Sequence, residues 1–316
     1  MINEGESFLV RMQDNIGKVM IGKEQTQKLL LSALLAEGHV LFEDVPGTGK
    51  TMLAKTLAKS MGAQFARIQF TPDLLPGDLT GINLYDRSKN EFVLRKGPVF
   101  TNFLLADELN RATPRTQAGL LECMEERQVT IDGTSYILAN PFFVVATQNP
   151  IETAGTFPLP EAQLDRFLMR LSMGLPTPEE EKAILARHFD QEPLVTLSSV
   201  LSLDELSKAK AQVRQVFVHD CIRQYIVEIV NATRKTDKVT LGVSPRGSLA
   251  LQRAAKAYAW LSGRLYVIPD DIKALAVPVL SHRLILGYGY GQSEDSQTVV
   301  KAILEQVPVP LEDVSV

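Results

Sequence analysis

Residues Leu41–Thr51 read LFEDVPGTGKT, a segment in which an apolar run leads into a glycine-rich turn. A phosphate-binding loop is usually written G-x-x-x-x-G-K-[ST], with a glycine five places before the glycine that precedes the lysine. Gly49, Lys50 and Thr51 match the end of that pattern, whereas Asp44 holds the place of its first glycine. Either the match is accidental, or the loop keeps the glycines that approach phosphate and lacks one that only shapes its entrance.

The flanking residues favour a phosphate-binding loop. The run HVLF, residues 39–42, is typical of a strand, and Leu53, Leu57 and Met61 recur at helical spacing before Gly62. Glycine-rich turns also join strands to helices without binding a ligand. A position between an apolar strand and an amphipathic helix is, however, the context that the phosphate-binding motif requires.

The residue types in the loop suit a nucleoside triphosphate. In such a loop, successive backbone N–H groups converge on phosphate oxygens, and the helix that follows adds its positive end. Gly47 and Gly49 stand where the backbone must come close to the phosphates. Lys50 supplies a charge for the β- and γ-phosphates, and the Thr51 hydroxyl can ligate Mg²⁺.

Asp44 is expected to shape a turn rather than to touch the nucleotide. Aspartate is among the few residues other than glycine that tolerate a left-handed backbone, and its side chain can point away from the anion. We therefore expect Asp44→Gly to change nucleotide affinity by no more than a few fold.

Composition and charge narrow the class of protein. A chain of 316 residues, 45% hydrophobic and 22% charged, suits a globular protein of two domains. No apolar run reaches the roughly 20 residues that span a bilayer, and no secretory signal is visible, so a cytoplasmic protein is expected. The two cysteines and four histidines lack metal-ligand spacing. The net charge of −4 disfavours bare nucleic acid as the main partner.

Four segments downstream of the loop predict further strands. They are mostly continuous apolar runs, as is typical of parallel strands covered on both faces. These segments are FARIQF, FLLADE, FFVVATQN and RFLMRLSM. Because the strands alternate with helices, we predict a doubly wound α/β domain that binds ligands at the carboxyl ends of its strands.

Two insertions interrupt the alternation, and the composition changes after them. Residues 72–98 place a polar turn between two short β-like pieces, and residues 128–138 place Asp132-Gly133 between alternating runs, the strongest short-range hairpin signal. From Pro176 onward the sequence indicates consecutive helices. We therefore predict an α/β domain over residues 1–185 and an all-α domain over residues 186–316.

Charged and amide side chains follow several of the predicted strands. In FLLADELNR, Asp107 suits Mg²⁺, and Glu108 suits a base or an orienter of the attacking water. Asn149 ends another strand, where an amide can hold that water or the γ-phosphate. Arg166, beside Asp165, fits either a surface ion pair or an arginine finger that reaches a neighbouring subunit's nucleotide.

Arg246 lies in the first turn of a helix that Ser244 and Pro245 begin. The positive end of the helix dipole is a poor place for a guanidinium group, which suggests an external anion as its partner. An ordinary solvated arginine after a Ser-Pro helix start is the alternative.

Taken in order, the segments VPGTGKT, LLADELNR, ATQNP, LPEAQLDRF and SPRG resemble the AAA+ ATPases, and closely the MoxR family among them. The resemblance covers nearly the whole chain and makes Asp44 a family-style variation of the loop. It implies an AAA+ P-loop core with a doubly wound, mostly parallel five-stranded sheet, followed by an all-α lid. The two insertions match the helix-2 insert and the hairpin before sensor 1 of the clade that includes magnesium chelatase.

The resemblance also implies roles for the site residues. The catalytic set is Lys50, Glu108, Asn149 as sensor 1, Arg166 as the finger and Arg246 as sensor 2. Whether Arg246 acts on its own subunit's nucleotide or on a neighbour's stays open. The nucleotide-binding set adds the stretch that contacts adenine, and comprises Ile21, Gly22, Pro46, Gly47, Thr48, Gly49, Lys50, Thr51, Met52 and Asp107. Thr51 and Asp107 are the expected Mg²⁺ ligands.

By the same resemblance, the chain is expected to hydrolyse ATP with Mg²⁺ at the subunit interfaces of a homo-oligomeric ring, expected to be a hexamer. The ring would remodel, mature or activate client proteins in a chaperone-like role, with a von Willebrand factor A domain protein as a partner. The alternatives are a helicase-like motor on nucleic acid, a magnesium-chelatase-like metal-insertion subunit, and a small-molecule kinase. Basic residues of the first insertion keep the helicase-like motor open, namely Arg87, Lys89, Arg95 and Lys96.

Overall fold

A five-stranded parallel sheet forms the centre of the protein, which is described here from a computed structural model over residues 3–150, 155–187, 193–287 and 295–310. Its strands are β1 (Val40–Glu43), β2 (Phe65–Gln69), β5 (Phe103–Asp107), β8 (Phe143–Gln148) and β9 (Met169–Leu171). They lie in the order β2-β5-β8-β1-β9, and every neighbouring pair is parallel. The predicted parallel sheet is therefore confirmed, with all four downstream segments as its strands.

Both faces of the sheet are buried, which explains why its strands are continuous apolar runs. Successive residues of a strand point to opposite faces, and here they enter two different apolar clusters. Phe42 and Leu105 belong to one cluster, whereas their neighbours Leu41 and Leu104 belong to the other. Each face thus has its own layer of helices or loops.

The helices within the first half of the chain flank the sheet. They are α1 (Glu4–Gly17), α2 (Glu24–Leu35), α3 (Lys50–Ser60), α4 (Pro76–Thr80), α5 (Pro114–Glu126) and α6 (Glu161–Leu164). Helix α1 is amphipathic, with Phe8, Met12 and Ile16 buried on one side. A 3₁₀ turn at Leu109–Arg111 follows β5.

Two antiparallel hairpins stand where the insertions are predicted. The first pairs β3 (Gly81–Asp86) with β4 (Glu91–Lys96), and the second pairs β6 (Gln128–Ile131) with β7 (Thr134–Ile137). In the second hairpin Asp132 and Gly133 both have positive φ, 47° and 80°, as a two-residue turn between twisted strands requires.

The second half of the described chain is helical apart from one short strand pair. Its helices are α7 (Pro178–Arg187), α8 (Pro193–Thr196), α9 (Leu203–Gln215), α10 (Asp220–Lys235), α11 (Pro245–Leu261), α12 (Pro269–Leu280) and α13 (Ser296–Gln306). The strand pair is β10 (Val239–Leu241) with β11 (Ile285–Leu286), and a 3₁₀ turn lies at Ser281–Arg283. The boundary between residues 185 and 186 stays a prediction.

The helical half packs directly on the sheet half. Helix α11 contacts α1 and α2, and α12 contacts β9. One apolar cluster runs through both halves, from Phe8 through Phe42 to Trp260. None of the helices in the described ranges is long and apolar enough to cross a bilayer.

Candidate active site

The turn after β1 has the geometry of a phosphate-binding loop. Gly47 and Gly49 have φ angles of 85° and 89°, which are costly for any residue with a Cβ atom. Gly49 is the N-cap of α3, so the positive end of that helix faces the turn. A cavity of about 460 Å³ opens over residues 46–52. We call residues 44–51 the P-loop.

The side chain of Lys50 reaches back to the first residues of the P-loop. Its Nζ donates to the carbonyl oxygens of Asp44 and Val45, each at 3.0 Å. Burial lowers the pKa of the Lys50 ammonium, and the negative charges of Asp44, Asp107 and Glu108 oppose that shift. The three carboxylates thus favour the cationic form of Lys50, which is the form that binds phosphate.

Asp44 does not have the left-handed backbone that its substitution for glycine suggested, because its φ is not positive. A left-handed backbone at Asp44 is therefore wrong, whereas the small effect expected of Asp44→Gly on nucleotide affinity stays a prediction. The residue is 8% exposed, and its carboxylate accepts hydrogen bonds from Ser172 Oγ at 2.5 Å and from Met173 N at 2.7 Å. Gly174 N donates to it as well, at 3.3 Å. The side chain is thus bound to the segment that leaves β9.

Asp107 ends β5 at the floor of the cavity. Its Oδ1 accepts from Thr147 Oγ1 at 2.7 Å, and its Oδ2 accepts from Arg67 Nη2 at 2.6 Å. Thr51 lines the same cavity. A hydroxyl and a carboxylate are ligands that suit Mg²⁺, so both predicted metal ligands lie at the same site.

Glu108 follows in a left-handed conformation, with φ of 56°, which re-aims its side chain at the strand end. Its carboxylate accepts from Gln69 Nε2 at 2.7 Å and from Arg111 Nη1 at 2.9 Å. Its backbone N–H donates to Thr147 Oγ1 at 2.9 Å. Strained backbone of this kind is concentrated at functional sites.

Most of the predicted nucleotide-binding set lies together. The cavity lining includes Pro46, Gly47, Thr48, Gly49, Lys50, Thr51, Met52, Asp107, Glu108 and Asn149. Thr48 Oγ1 is buried without a hydrogen-bond partner, and a Cβ atom placed on Gly47 would meet nothing within 4 Å. An unpaired polar atom and open space above the loop fit a phosphate group that would occupy it.

Ile21 and Gly22 do not line this cavity. They lie in the turn between α1 and α2, where Gly22 has φ of 69° and its carbonyl accepts from Gln27 Nε2 at 3.0 Å. A Cβ atom on Gly22 would come within 1.9 Å of Glu180 Oε1. The stretch predicted to contact adenine thus sits against the start of α7.

Arg166 and Arg246 lie together, but away from the P-loop cavity. Both contact Glu125 of α5, Arg166 through Nε at 3.2 Å and Arg246 through Nη2. With Arg253 they line a second cavity, of about 280 Å³. Both guanidinium groups are partly exposed, at 31% and 50% of their side-chain surface. The structure therefore joins the two predicted arginines to each other and not to their own P-loop.

Sequence reasoning missed three contributors. Arg67 and Gln69 lie in a segment interpreted only as a strand, and their register beside Asp107 in β2 and β5 brings them to the acidic pair. The sequence signal for Arg67 and Gln69 was that two polar residues stand at alternate positions near the end of a strand, so both point to the same face. Glu125 lies on a helix with no motif, and its role as the shared partner of two arginines depends on the tertiary fold.

Comparisons with known proteins find AAA ATPases among the relatives of this chain. The family profile described as "ATPase family associated with various cellular activities (AAA)" matches residues 39–169, and an AAA lid domain profile matches residues 231–307. YeaC of Bacillus subtilis (strain 168) is 51% identical over 306 residues, covering 96% of each chain. Chaperone MoxR1 of Mycobacterium tuberculosis is 42% identical, covering 93% of this chain and 80% of its own. A crystal structure from Cytophaga hutchinsonii, provisionally described as that of an ATPase, superposes with a TM-score of 0.90 at 39% identity and covers 97% of this chain and 96% of that one.

Proposed function

This chain belongs to the MoxR family of AAA+ ATPases, and we propose that it binds ATP with Mg²⁺ at the P-loop cavity and hydrolyses it to ADP and phosphate. The observation that carries the proposal is the convergence of Lys50, Asp107 and Glu108 on the cavity above the loop. Phosphoryl transfer to water needs a cation that binds phosphate, a metal ligand and a base, and Lys50, Asp107 and Glu108 are the respective candidates.

Each proposed role follows from where a side chain lies. The backbone N–H groups of the P-loop and Lys50 would bind the phosphates. Thr51 and Asp107 would hold Mg²⁺, which neutralises phosphate charge when bound. Glu108 would orient the attacking water and Asn149 would hold that water or the γ-phosphate, since both line the cavity.

Arg166 and Arg246 would act across a subunit interface. Both arginines line a cavity other than that of their own P-loop, and both are partly exposed. An anion presented by a neighbouring subunit could replace Glu125 as their partner. We therefore propose a homo-oligomeric ring, a hexamer, in which each protomer supplies both arginines to its neighbour's ATP.

The work done by hydrolysis would be chaperone-like. A relative that covers most of the chain is named a chaperone, so we propose that the ring remodels, matures or activates client proteins in the cytoplasm. A protein with a von Willebrand factor A domain is the partner that family resemblance favours.

The second candidate function is a nucleic-acid motor, because the first hairpin carries the basic residues Arg87, Lys89, Arg95 and Lys96. ATPase activity that is stimulated by DNA and suppressed by salt would favour this candidate.

The reaction is tested by Glu108→Gln, with ATP binding and phosphate release measured separately. We expect binding within about threefold of wild type and turnover reduced by about 100-fold or more, because the amide cannot act as a base. Glu305→Gln, an exposed change in α13, is the matched control and should leave both values unchanged. Unchanged turnover in Glu108→Gln would exclude Glu108 from the mechanism, and phosphate transfer to a metabolite would indicate a kinase.

A further inference from the structure

The segment that leaves the last strand of the sheet runs beside the P-loop. Strand β9 pairs with β1 in parallel, so the segments that follow these two strands leave the sheet at the same edge. After β1 comes the P-loop, and after β9 comes a linker, residues 172–177, that leads to α7. The linker is therefore a covalent connection between the sheet and the helical half that passes close to the P-loop.

Asp44 is the side chain that joins the two segments. It accepts three hydrogen bonds from residues 172–174, at 2.5, 2.7 and 3.3 Å. Hydrogen bonds to a carboxylate are roughly twice as strong as those between neutral groups. A glycine at this position would suit the turn equally well but would leave the Met173 N–H, which is buried, without this acceptor.

The backbone of the same residue is tied to the phosphate-binding lysine. Lys50 Nζ donates to the carbonyls of Asp44 and Val45. A bound triphosphate would offer oxygen acceptors that compete with these two carbonyls for the three donors of the Lys50 ammonium group. Asp44 thus binds Lys50 through its backbone carbonyl and the linker through its side-chain carboxylate.

A second contact holds the far end of the linker. Lys23 Nζ donates to the Leu175 carbonyl at 3.0 Å and lies 3.5 Å from Glu180 Oε2. Glu180 in turn accepts from Thr177 N at 2.8 Å, which caps the start of α7. The linker is therefore held by Asp44 of the P-loop at its start and by Lys23, in the turn between α1 and α2, nearer its end.

We propose that Asp44 is a positioning residue that couples the P-loop to the lid, by moving residues 172–174 when Lys50 exchanges its carbonyl partners for phosphate. This inference rests on the proposed function, since it requires ATP at the P-loop. Asp44 lines the P-loop cavity, but its carboxylate is engaged by residues 172–174, which is a connection that a glycine at this position would lack.

The test is hydrogen exchange at residues 172–177 with and without ATP, in wild type, Asp44→Gly, Asp44→Asn and Ser172→Ala. In the wild type, ATP should change exchange at these amides. In Asp44→Gly that ATP-dependent change should disappear, with ATP affinity within about threefold and kcat reduced by about tenfold. Asp44→Asn keeps one acceptor oxygen, so its ATP-dependent change in exchange should be intermediate between those of wild type and Asp44→Gly. Asp220→Asn, an exposed change on α10, is the control.

The outcomes separate this inference from the proposed function. If wild type binds ATP and Asp44→Gly shows the same ATP-dependent exchange, the coupling role is wrong and the proposed function stands. A loss of ATP affinity of 100-fold in Asp44→Gly would show that Asp44 acts on the nucleotide instead. If wild type neither binds nor hydrolyses ATP, both proposals fail. Ser172→Ala, outside the P-loop, gives the same comparison should Asp44→Gly not fold.

Discussion

Lys50 and Glu108, two charged side chains that line the proposed active site, are both engaged by protein groups. Lys50 donates to two backbone carbonyls, and Glu108 accepts from Gln69 and Arg111. A buried charge without a partner is costly, so these contacts hold each side chain in the cavity at little cost. ATP and water would replace existing partners rather than recruit distant side chains.

His39 is a residue whose protonation should affect stability. Burial, and then the charge of Arg127, lowers the pKa of His39 to about 3. The ring lies between Val144 N, which donates to Nδ1 at 3.0 Å, and the Met124 carbonyl, 3.1 Å from Nε2. One nitrogen must accept and the other must donate, so the folded protein requires the neutral ring.

The free energy of unfolding should therefore fall as pH drops from 6.5 towards 3. The unfolded chain binds a proton on His39 below about pH 6.5 and the folded chain does not. In urea titrations, His39→Gln should reduce the slope of stability against pH by up to about 1.4 kcal/mol per pH unit between pH 6 and 5. Equal slopes for wild type and variant in that range would contradict the assignment. Above pH 8 the slopes should coincide.

Residues of the P-loop and the acidic pair could be predicted because their chemistry depends on local sequence. Gly47, Gly49 and Lys50 lie within one turn, and Asp107 with Glu108 ends one strand. The true contacts of Asp44 could not be predicted, since its partners lie 128–130 positions away. The rule that aspartate can replace glycine in a left-handed turn gave the wrong backbone conformation for Asp44. It also gave no indication that the Asp44 side chain binds residues 172–174.

At the level of elements, Arg283 is a buried polar tie between the sheet half and the helical half. Its side chain is 4% exposed, and Nε contacts Asp165 Oδ1 at 2.6 Å. The same guanidinium donates to the carbonyls of Asp165, Phe167 and Leu168. It thus joins the 3₁₀ turn after α12 to the segment between α6 and β9.

Replacing Arg283 by methionine should lower the free energy of unfolding by about 3–5 kcal/mol, because it leaves the Asp165 carboxylate unpaired. Adding Asp165→Asn should recover part of that loss. Arg223→Met, which removes an exposed pair with Asp220 on α10, should cost less than about 1 kcal/mol. Chemical denaturation measures all three; equal costs for the two arginines would show that the buried contact has no special weight.

Elements with a strong local signal match their predictions closely. The second hairpin turns at Asp132-Gly133, as predicted. Helix α9 begins with a capping box, in which Glu205 N donates to Ser202 Oγ at 3.2 Å and Ser202 N donates to Glu205 Oε2 at 2.8 Å. The strand pair β10–β11 was not predicted. Its strands have three and two residues and lie more than 40 positions apart, too short to leave a pattern.

At the scale of the whole molecule, the parallel class of the sheet follows from its apolar runs, but the strand order does not. Strands β5 and β8 lie between β2 and β1, which depends on how helices and loops pack over each face. The joining of Arg166 and Arg246 at Glu125 is likewise a product of the packed fold. Only the folded chain places both arginines away from their own P-loop.

The central claim is that one protomer's arginine completes its neighbour's ATP site. The direct measurement is the ATPase rate of Glu108→Gln protein mixed in equal amounts with Arg166→Ala protein before ring assembly. Each variant alone should be nearly inactive. In a head-to-tail ring, roughly a quarter of the interfaces would pair an intact Glu108 with an intact Arg166, so the mixture should recover about that share of the wild-type rate. A mixture that stays as inactive as its components, or an Arg166→Ala protein that hydrolyses ATP at the full rate, would contradict the account.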